Sequence, residues 1–228
     1  SNFVGIPLAT KFDDYYCNTI LKYSNSEIWN YMYKYGNEFG VDPYLVLAIC
    51  YTESNLLHDK TIPGGSSYNG YGVGIAQHES PDGTNKVTAF NFVTGEYETE
   101  IISMENACNL EKNIKIATMT LSGKFKQYNN NIYAVIQSYN YGDGAMKIIL
   151  GKYAKETNRT IDEVLSDFSD TGWLKYVSDF HINANKYINW PYEKYGNPNY
   201  ISDVLGGFIL SFVMVVLYTE LINKFLGE

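Results

Sequence analysis

The sequence has few cysteines, few basic residues and few histidines, and each shortage excludes a class of protein. Cys17, Cys50 and Cys108 show no paired spacing, so neither a disulfide framework nor a zinc site is predicted, and Cys50 and Cys108 are expected to be buried thiols. Lys and Arg number 17 against 25 Asp and Glu, which gives a formal charge of −8. No basic cluster could follow a phosphate backbone, so we expect no nucleic-acid partner.

Two further signals are missing. The N-terminal residues show no basic region followed by an apolar run, so no signal peptide is predicted. The histidines have no Cys or carboxylate at ligand spacing, so we expect surface or groove-wall histidines, no metal and no cofactor. They are His58, His78 and His181.

The spacing of apolar residues predicts a mainly helical chain. A capping-box pattern, Ser24-x-x-Glu27, begins a helix that reaches Phe39. Asp42 and Pro43 begin a second helix, 43–53, whose apolar residues on most sides indicate a central position. Further helices are predicted around 104–122, 132–139 and 172–189.

Other segments do not read as helices. Glycines between positions 63 and 83 predict a loop or short hairpin, and residues 84–102 show no clear period and stay undecided. Residues 204–218 carry no charge. Because a bilayer span takes about 20 apolar residues, this run predicts either a packed helix or a membrane contact.

Glu53 and Ser54 end the 43–53 helix. Burial among Ile49, Leu56 and Leu57, together with the negative end of the helix dipole, would favour a protonated carboxyl at position 53. Such a carboxyl can protonate a glycosidic oxygen. A glutamate in this place is also common as a solvated residue, so the signal is weak by itself.

Two later motifs strengthen the case. Gly72-Val73-Gly74-Ile75-Ala76-Gln77 follows the glycine-rich stretch, and Ser138-Tyr139-Asn140-Tyr141-Gly142 closes a helix. With Glu53-Ser54, their order resembles that of the soluble lytic transglycosylases and goose-type lysozymes, over residues 36–150. The resemblance implies a mainly α (α+β), two-lobed lysozyme-like fold with a small Gly-rich loop or hairpin region and a C-terminal helical extension.

The resemblance also implies roles for five residues. Glu53 would be the catalytic acid/base, and Ser54 would hold its carboxyl or the substrate. Gln77 would line the glycan groove. Tyr139 would orient the Glu53 carboxyl, and Asn140 would bind an acetamido group or brace the groove.

One position departs from the family pattern. The family usually has Met before the Gln, where this chain has Ala76, and the smaller side chain is expected to loosen one wall of a sugar subsite.

The implied division of the chain has four parts. They are an N-terminal helical lead-in (1–35), a lysozyme-like catalytic domain (36–150), a helical extension (151–199) and a C-terminal apolar segment (200–228).

The reaction is expected to be lytic transglycosylation of peptidoglycan glycan strands. Inverting hydrolysis needs a second carboxylate. Between Ser54 and Val73 the only residue with a carboxylate side chain is Asp59. Attack by the sugar's own C6 hydroxyl needs none. Glu79 and Asp82 keep a muramidase as the alternative.

The biological setting implied is action at the cell wall, outside the cytoplasm, by a virion tail-associated lysin. It would meet other tail proteins, and a membrane through 204–218. A cell-encoded enzyme of a conjugation apparatus, a membrane-active structural tail component with a degenerate domain, and a glycan-binding module that does not cut are the alternatives.

Overall fold

The computed structural model describes residues 27–58, 72–79 and 81–208. These residues divide into two compact units. The N-terminal unit contains the described residues up to Gly123 together with 204–208, and the C-terminal unit contains Lys124–Asp203. The predicted four-part division of the chain stays a prediction.

The described part of the N-terminal unit begins with two packed helices, α1 (Glu27–Phe39) and α2 (Pro43–Ser54). α1 buries one stripe of apolar residues, as its spacing predicted. α2 begins where predicted, because the Asp42 side chain accepts a hydrogen bond from the main-chain N–H of Tyr44. Its residues from Leu45 to Cys50 are all buried, so the prediction of a central helix is confirmed. Ser24 lies outside the described residues.

Two antiparallel hairpins follow. The short one pairs β1 (Gly72–Val73) with β2 (His78–Glu79), and the long one pairs β3 (Asp82–Asn91) with β4 (Glu96–Ser103). The short hairpin lies in the Gly-rich stretch that was predicted to form a loop or hairpin. The long hairpin occupies the residues that the sequence left undecided.

The inner face of the long hairpin carries acidic residues, which explains why its period was not visible. Glu100 is 9% exposed and accepts hydrogen bonds from Lys112 and Lys115, each over 2.7 Å. Burial alone would raise the pKa of Glu100, but the two lysines outweigh it and hold the pKa below its ordinary value. Because ion pairs occupy this face, the sequence lacks the apolar alternation of a half-buried strand.

The helix predicted around 104–122 is two helices, α3 (Met104–Cys108) and α4 (Leu110–Gln127). Asn109 between them has extended backbone angles, and its side chain accepts from the N–H of Lys112, so it acts as a cap that starts a new helix. Of the predicted apolar face, Ile114, Ala117 and Leu121 are fully buried, whereas Leu110 is only half-buried.

The cysteine predictions are half right. Cys50 is fully buried, but Cys108 is only partly buried, because it lies in the last turn of the short helix α3 rather than inside one long helix. Cys17 lies outside the described residues.

The C-terminal unit contains α5 (Ile132–Glu156), α6 (Ile161–Ser166), α7 (Leu174–Asn183) and a 3-10 turn (Ala184–Lys186). α5 packs against α6 and α7. At Gly142 it leaves helical geometry (φ 73°, ψ 160°) and then resumes. The predicted end near Gly142 is therefore a break inside a longer element. The capping box of Thr160 and Glu163 is formed at the start of α6.

The described chain ends in a helical stretch, 200–208. Most of the apolar run 204–218 therefore lies outside the described residues. Within the described part, no helix combines the length and the apolar character needed to cross a membrane. Helices dominate the described residues and the strands are few, two of the four being only two residues long, so the prediction of a mainly helical fold is confirmed.

Candidate active site

Glu53 stands at the C-terminal end of α2, as predicted. The helix ends at Ser54, and Asn55 then takes the left-handed conformation (φ 54°) while its N–H bonds to the carbonyl of Tyr51. The Glu53 side chain is half-buried. This position combines partial burial with the negative end of the helix dipole.

The apolar residues that were predicted to bury Glu53 differ in their own burial. Ile49 and Leu56 are buried, but Leu57 is 62% exposed, so its predicted place among the burying neighbours is wrong. Asn55 and Leu56 both have positive φ, and this turn directs Leu57 outward. One turn before Glu53, the thiol of Cys50 is fully buried. Burial raises its pKa, and the charge of Glu53 raises it further.

A hydrogen bond joins the end of α2 to the short hairpin. The Ser54 hydroxyl lies 2.7 Å from the carbonyl oxygen of Ile75 and 3.0 Å from that of Cys50. A hydroxyl has one proton to donate. The shorter contact is the one to Ile75, which lies outside α2, so we assign the hydrogen bond to the Ile75 carbonyl. The structure thus brings together the Glu-Ser and Gly-x-x-Gln motifs, two of the three that the sequence singled out.

Gln77 lies in the turn of the short hairpin, with a left-handed backbone (φ 52°). Its main-chain N–H bonds to the carbonyl of Gly74 over 3.2 Å, and its side-chain Nε2 bonds to the same oxygen over 2.9 Å. A Cβ atom at position 72 would lie 2.4 Å from Gln77 Oε1, so Gly72 leaves the room that this side chain occupies. Gln77 is half-buried, with its amide held against its own turn.

Asn113 of α4 binds the backbone of the short hairpin, and the sequence analysis did not predict this residue. Its Nδ2 donates to the carbonyls of Val73 (3.0 Å) and Ala107 (2.7 Å), and its Oδ1 accepts from the N–H of Ala76 (3.0 Å). It is fully buried and uses both ends of its amide. A polar residue on the otherwise apolar face of a helix was the available signal.

Ala76 is fully buried beside this bond. It is therefore a core residue of the hairpin, and the predicted effect of its small side chain on a sugar subsite stays a prediction.

The two histidines near the hairpin bind backbone atoms. His58 Nδ1 accepts from the N–H of Ile75 over 3.1 Å, so its Nε2 carries the proton and donates to the carbonyl of Cys108 over 2.9 Å. His78 is 7% exposed, and its Nε2 lies 2.7 Å from the carbonyl of Asn113. Burial lowers the pKa of His78 to about 4. The expectation of a surface or groove-wall residue is therefore wrong for His78, because the hairpin packs its ring against α4.

The acids considered as a second carboxylate are placed unequally. Asp59 lies outside the described residues. Glu79 and Asp82 are exposed. Asp82 accepts from the N–H and the hydroxyl of Thr84, and these two bonds lower the pKa of its carboxyl. A carboxylate held in this way is a weaker base.

Tyr139 and Asn140 belong to the C-terminal unit. Both are half-buried in the last turn of α5 before the break at Gly142. Asn140 Oδ1 accepts from the N–H of Asn197 over 2.7 Å. Asn197 was not among the predicted site residues, and nothing in a local motif pointed to it.

The chemistry available is that of carboxyl, hydroxyl and amide groups. Within the ranges that the structure describes, no three His, Cys, Asp or Glu side chains are grouped so that they could hold a metal ion. The fold and this site define a helical domain in which the half-buried Glu53 stands at the end of the buried helix α2, the type of group that general acid catalysis of glycan cleavage uses.

The comparison with known families agrees. The sequence model of the transglycosylase SLT domain family matches residues 30–161, more than half of the 228 residues. The chain therefore belongs to the transglycosylase SLT domain family, and the resemblance to the lytic transglycosylases is confirmed. Members of this family act on the peptidoglycan of the cell wall, outside the cytoplasm. No curated protein matches the chain.

Proposed function

We propose that the chain is a peptidoglycan lytic transglycosylase that cleaves the β-1,4 bond between N-acetylmuramic acid and N-acetylglucosamine, with Glu53 as its single acid/base. The observation that carries this proposal is the bond from the Ser54 hydroxyl to the Ile75 carbonyl. It holds the Glu-Ser end of a buried helix against the Gly-x-x-Gln hairpin, inside the matched range of the family.

The reaction needs only one carboxyl. Protonated Glu53 gives its proton to the glycosidic oxygen, and the bond from C1 of the muramic acid to that oxygen breaks. The carboxylate that results takes a proton from the C6 hydroxyl of the same sugar, and O6 forms the new bond to C1. Glu53 ends as it began, and the product is a 1,6-anhydro sugar. Proximity of the C6 hydroxyl replaces an activated water.

The surroundings of the described acids support this route over hydrolysis. A muramidase would need a second carboxylate as base or nucleophile. The Asp82 carboxylate already accepts a hydrogen bond from the Thr84 hydroxyl, and Glu79 is exposed to solvent. Hydrolysis by the same fold remains the alternative, and the product mass separates the two.

We assign substrate binding to four further residues. Ser54 fixes the helix end that carries the acid, and Gln77 lines the groove on the short hairpin. Tyr139 and Asn140 contribute from α5, where both side chains are half-buried rather than enclosed in the core.

Digestion of purified peptidoglycan, followed by mass spectrometry of the muropeptides, tests the reaction. The wild type is expected to release anhydro-muropeptides, and Glu53→Gln is expected to lose at least about 1000-fold in rate because it cannot donate the proton. Glu79→Gln, a neighbouring exposed acid, serves as the matched control and keeps its rate. Products that all carry an added water would make the chain a muramidase, and full activity of Glu53→Gln would end the proposal.

We propose a virion tail as the setting, with the apolar run 204–218 as a membrane-contacting element. The support is the sequence itself, in which an uncharged run follows the wall-cutting domain. Mass spectrometry of purified virions is the test, and the protein is expected among the tail components. Absence from virions, with presence in a conjugation apparatus, would favour the cell-encoded alternative.

A further inference from the structure

A segment beyond the matched family range packs on the Tyr-Asn motif within the C-terminal unit. Residues 190–197, here called the clamp segment, lie after residue 161, where the match ends. The Tyr195 hydroxyl donates to the carbonyl of Tyr141 over 2.7 Å. The N–H of Asn197 donates to Asn140 Oδ1 over 2.7 Å, and Gln137 Nε2 donates to the carbonyl of Asn197 over 3.1 Å.

The fit between the clamp segment and α5 is tight. Gly196 has a left-handed backbone (φ 52°), and a Cβ atom there would lie 2.5 Å from the Tyr141 ring and 2.9 Å from Asn140 Oδ1. The Tyr195 ring packs edge to face on the Tyr141 ring, with centroids 5.2 Å apart. It also packs edge to face on the Trp190 ring, with centroids 4.6 Å apart. These contacts hold the clamp segment next to Asn140.

The clamp segment decides which way the Asn140 amide faces. A main-chain N–H needs an acceptor, so the atom 2.7 Å from Asn197 N is the oxygen of the amide and not its nitrogen. The Nδ2 group then points away with two protons to donate. Among the described residues none accepts a hydrogen bond from Asn140 Nδ2, and the side chain is only half-buried.

We propose that the clamp segment is a positioning element that makes Asn140 a donor-only group, selective for a carbonyl oxygen of the substrate. This inference rests on the proposed function. The sugars of peptidoglycan carry acetamido carbonyls, which accept such a bond. Removal of the acetyl group leaves an ammonium, which is itself a donor and cannot pair with Nδ2. A site built to bond a polar group discriminates strongly against an analogue without the partner.

The test compares rates on purified peptidoglycan before and after chemical removal of its acetyl groups. The wild type is expected to prefer the acetylated glycan by at least about tenfold, the value of one hydrogen bond near 1.4 kcal/mol. The ratio of the two rates is the readout, because a variant that is only less stable loses both rates equally.

Three variants examine the clamp. Asn197→Pro removes the N–H that holds Asn140 and is expected to lower the ratio toward one. Asn197→Ala is its matched control: it keeps the N–H and loses only the side-chain bonds to Asn199 and Asp203, so the ratio stays high. Asn140→Asp keeps the acceptor for Asn197 and replaces the donor by an oxygen. It is expected to reverse the preference, and it decides the matter if Asn197→Pro does not fold.

The outcomes separate this inference from the proposed function. A wild type without preference for the acetylated glycan, or an unchanged ratio in folded Asn140→Asp, would overturn the role of the clamp segment while Glu53→Gln stays inactive. Full activity of Glu53→Gln would instead overturn the proposed function.

Discussion

Gly74 of the short hairpin and Asn113 of α4 touch so closely that a Cβ atom at position 74 would lie 2.2 Å from Asn113 Nδ2. The same Cβ would lie 2.8 Å from the carbonyl oxygen of Ala107. The glycine is therefore required for two reasons, its left-handed backbone (φ 75°) and the absence of a side chain.

Gly74→Ala is expected to lower the free energy of unfolding by about 3 kcal/mol or more, because backbone strain and displacement of Asn113 add together. Gly95→Ala is the matched control. Gly95 has the same φ of 75° but open space around it, so only the strain of about 1 kcal/mol remains. Urea unfolding measures both, and equal losses would show that the contact with Asn113 does not matter.

Asn113→Ala is expected to cost about 3 kcal/mol in unfolding free energy, because the Val73 carbonyl, the Ala107 carbonyl and the Ala76 N–H all lose a partner in the core. Asn106→Ala removes one bond, to the carbonyl of Ile101, from an exposed site and should cost under about 1 kcal/mol. A small loss for Asn113→Ala would mean that the hairpin is held by other contacts.

Ser54→Ala is expected to lower kcat/KM on peptidoglycan by about tenfold and stability by about 1 kcal/mol, because the tie between α2 and Ile75 is lost. Thr52→Val is the control. It removes a hydroxyl bonded to Ala48 within the same helix, so stability changes slightly and activity stays. Equal activity in the two variants would contradict a role for the tie in placing Glu53.

Stability is expected to fall as the pH is lowered from about 6.5, the ordinary pKa of histidine, toward about 4, the pKa of buried His78. Between these two pH values the His78 side chain binds a proton in the unfolded chain but not in the folded chain. The free energy of unfolding therefore falls by up to ~3 kcal/mol at the lower end of the range. Glu98 and Glu100, whose pKa values in the folded chain are lowered from 4.5, add to this loss of stability only as the pH falls below about 4.5.

His78→Gln keeps a donor for the Asn113 carbonyl and is expected to flatten the dependence between pH 7 and pH 5. Denaturant midpoints across this range are the measurement. An unchanged slope in His78→Gln would assign the dependence to other groups.

Much of the site could be predicted from short-range pattern. Asp42 and Pro43 start α2 and an unbroken apolar run buries it, so Glu53 had to stand at its end. The order of the Glu-Ser, Gly-x-x-Gln and Tyr-Asn motifs predicted the family. Helix caps, periodicity and motif order depend on neighbours along the chain, and the sequence states those directly.

The tertiary structure alone decided which distant atoms meet. The inner face of the long hairpin is held by Lys112 and Lys115, so its strands carry no apolar signature. In the sequence, Asn113 is only a polar residue on the apolar face of a helix. Its role follows from the backbone groups of the hairpin that the fold places around its side chain. The grip of Asn197 on Asn140 joins residues 57 positions apart. Such bonds depend on where the fold places backbone groups, and no local pattern of residues encodes that placement.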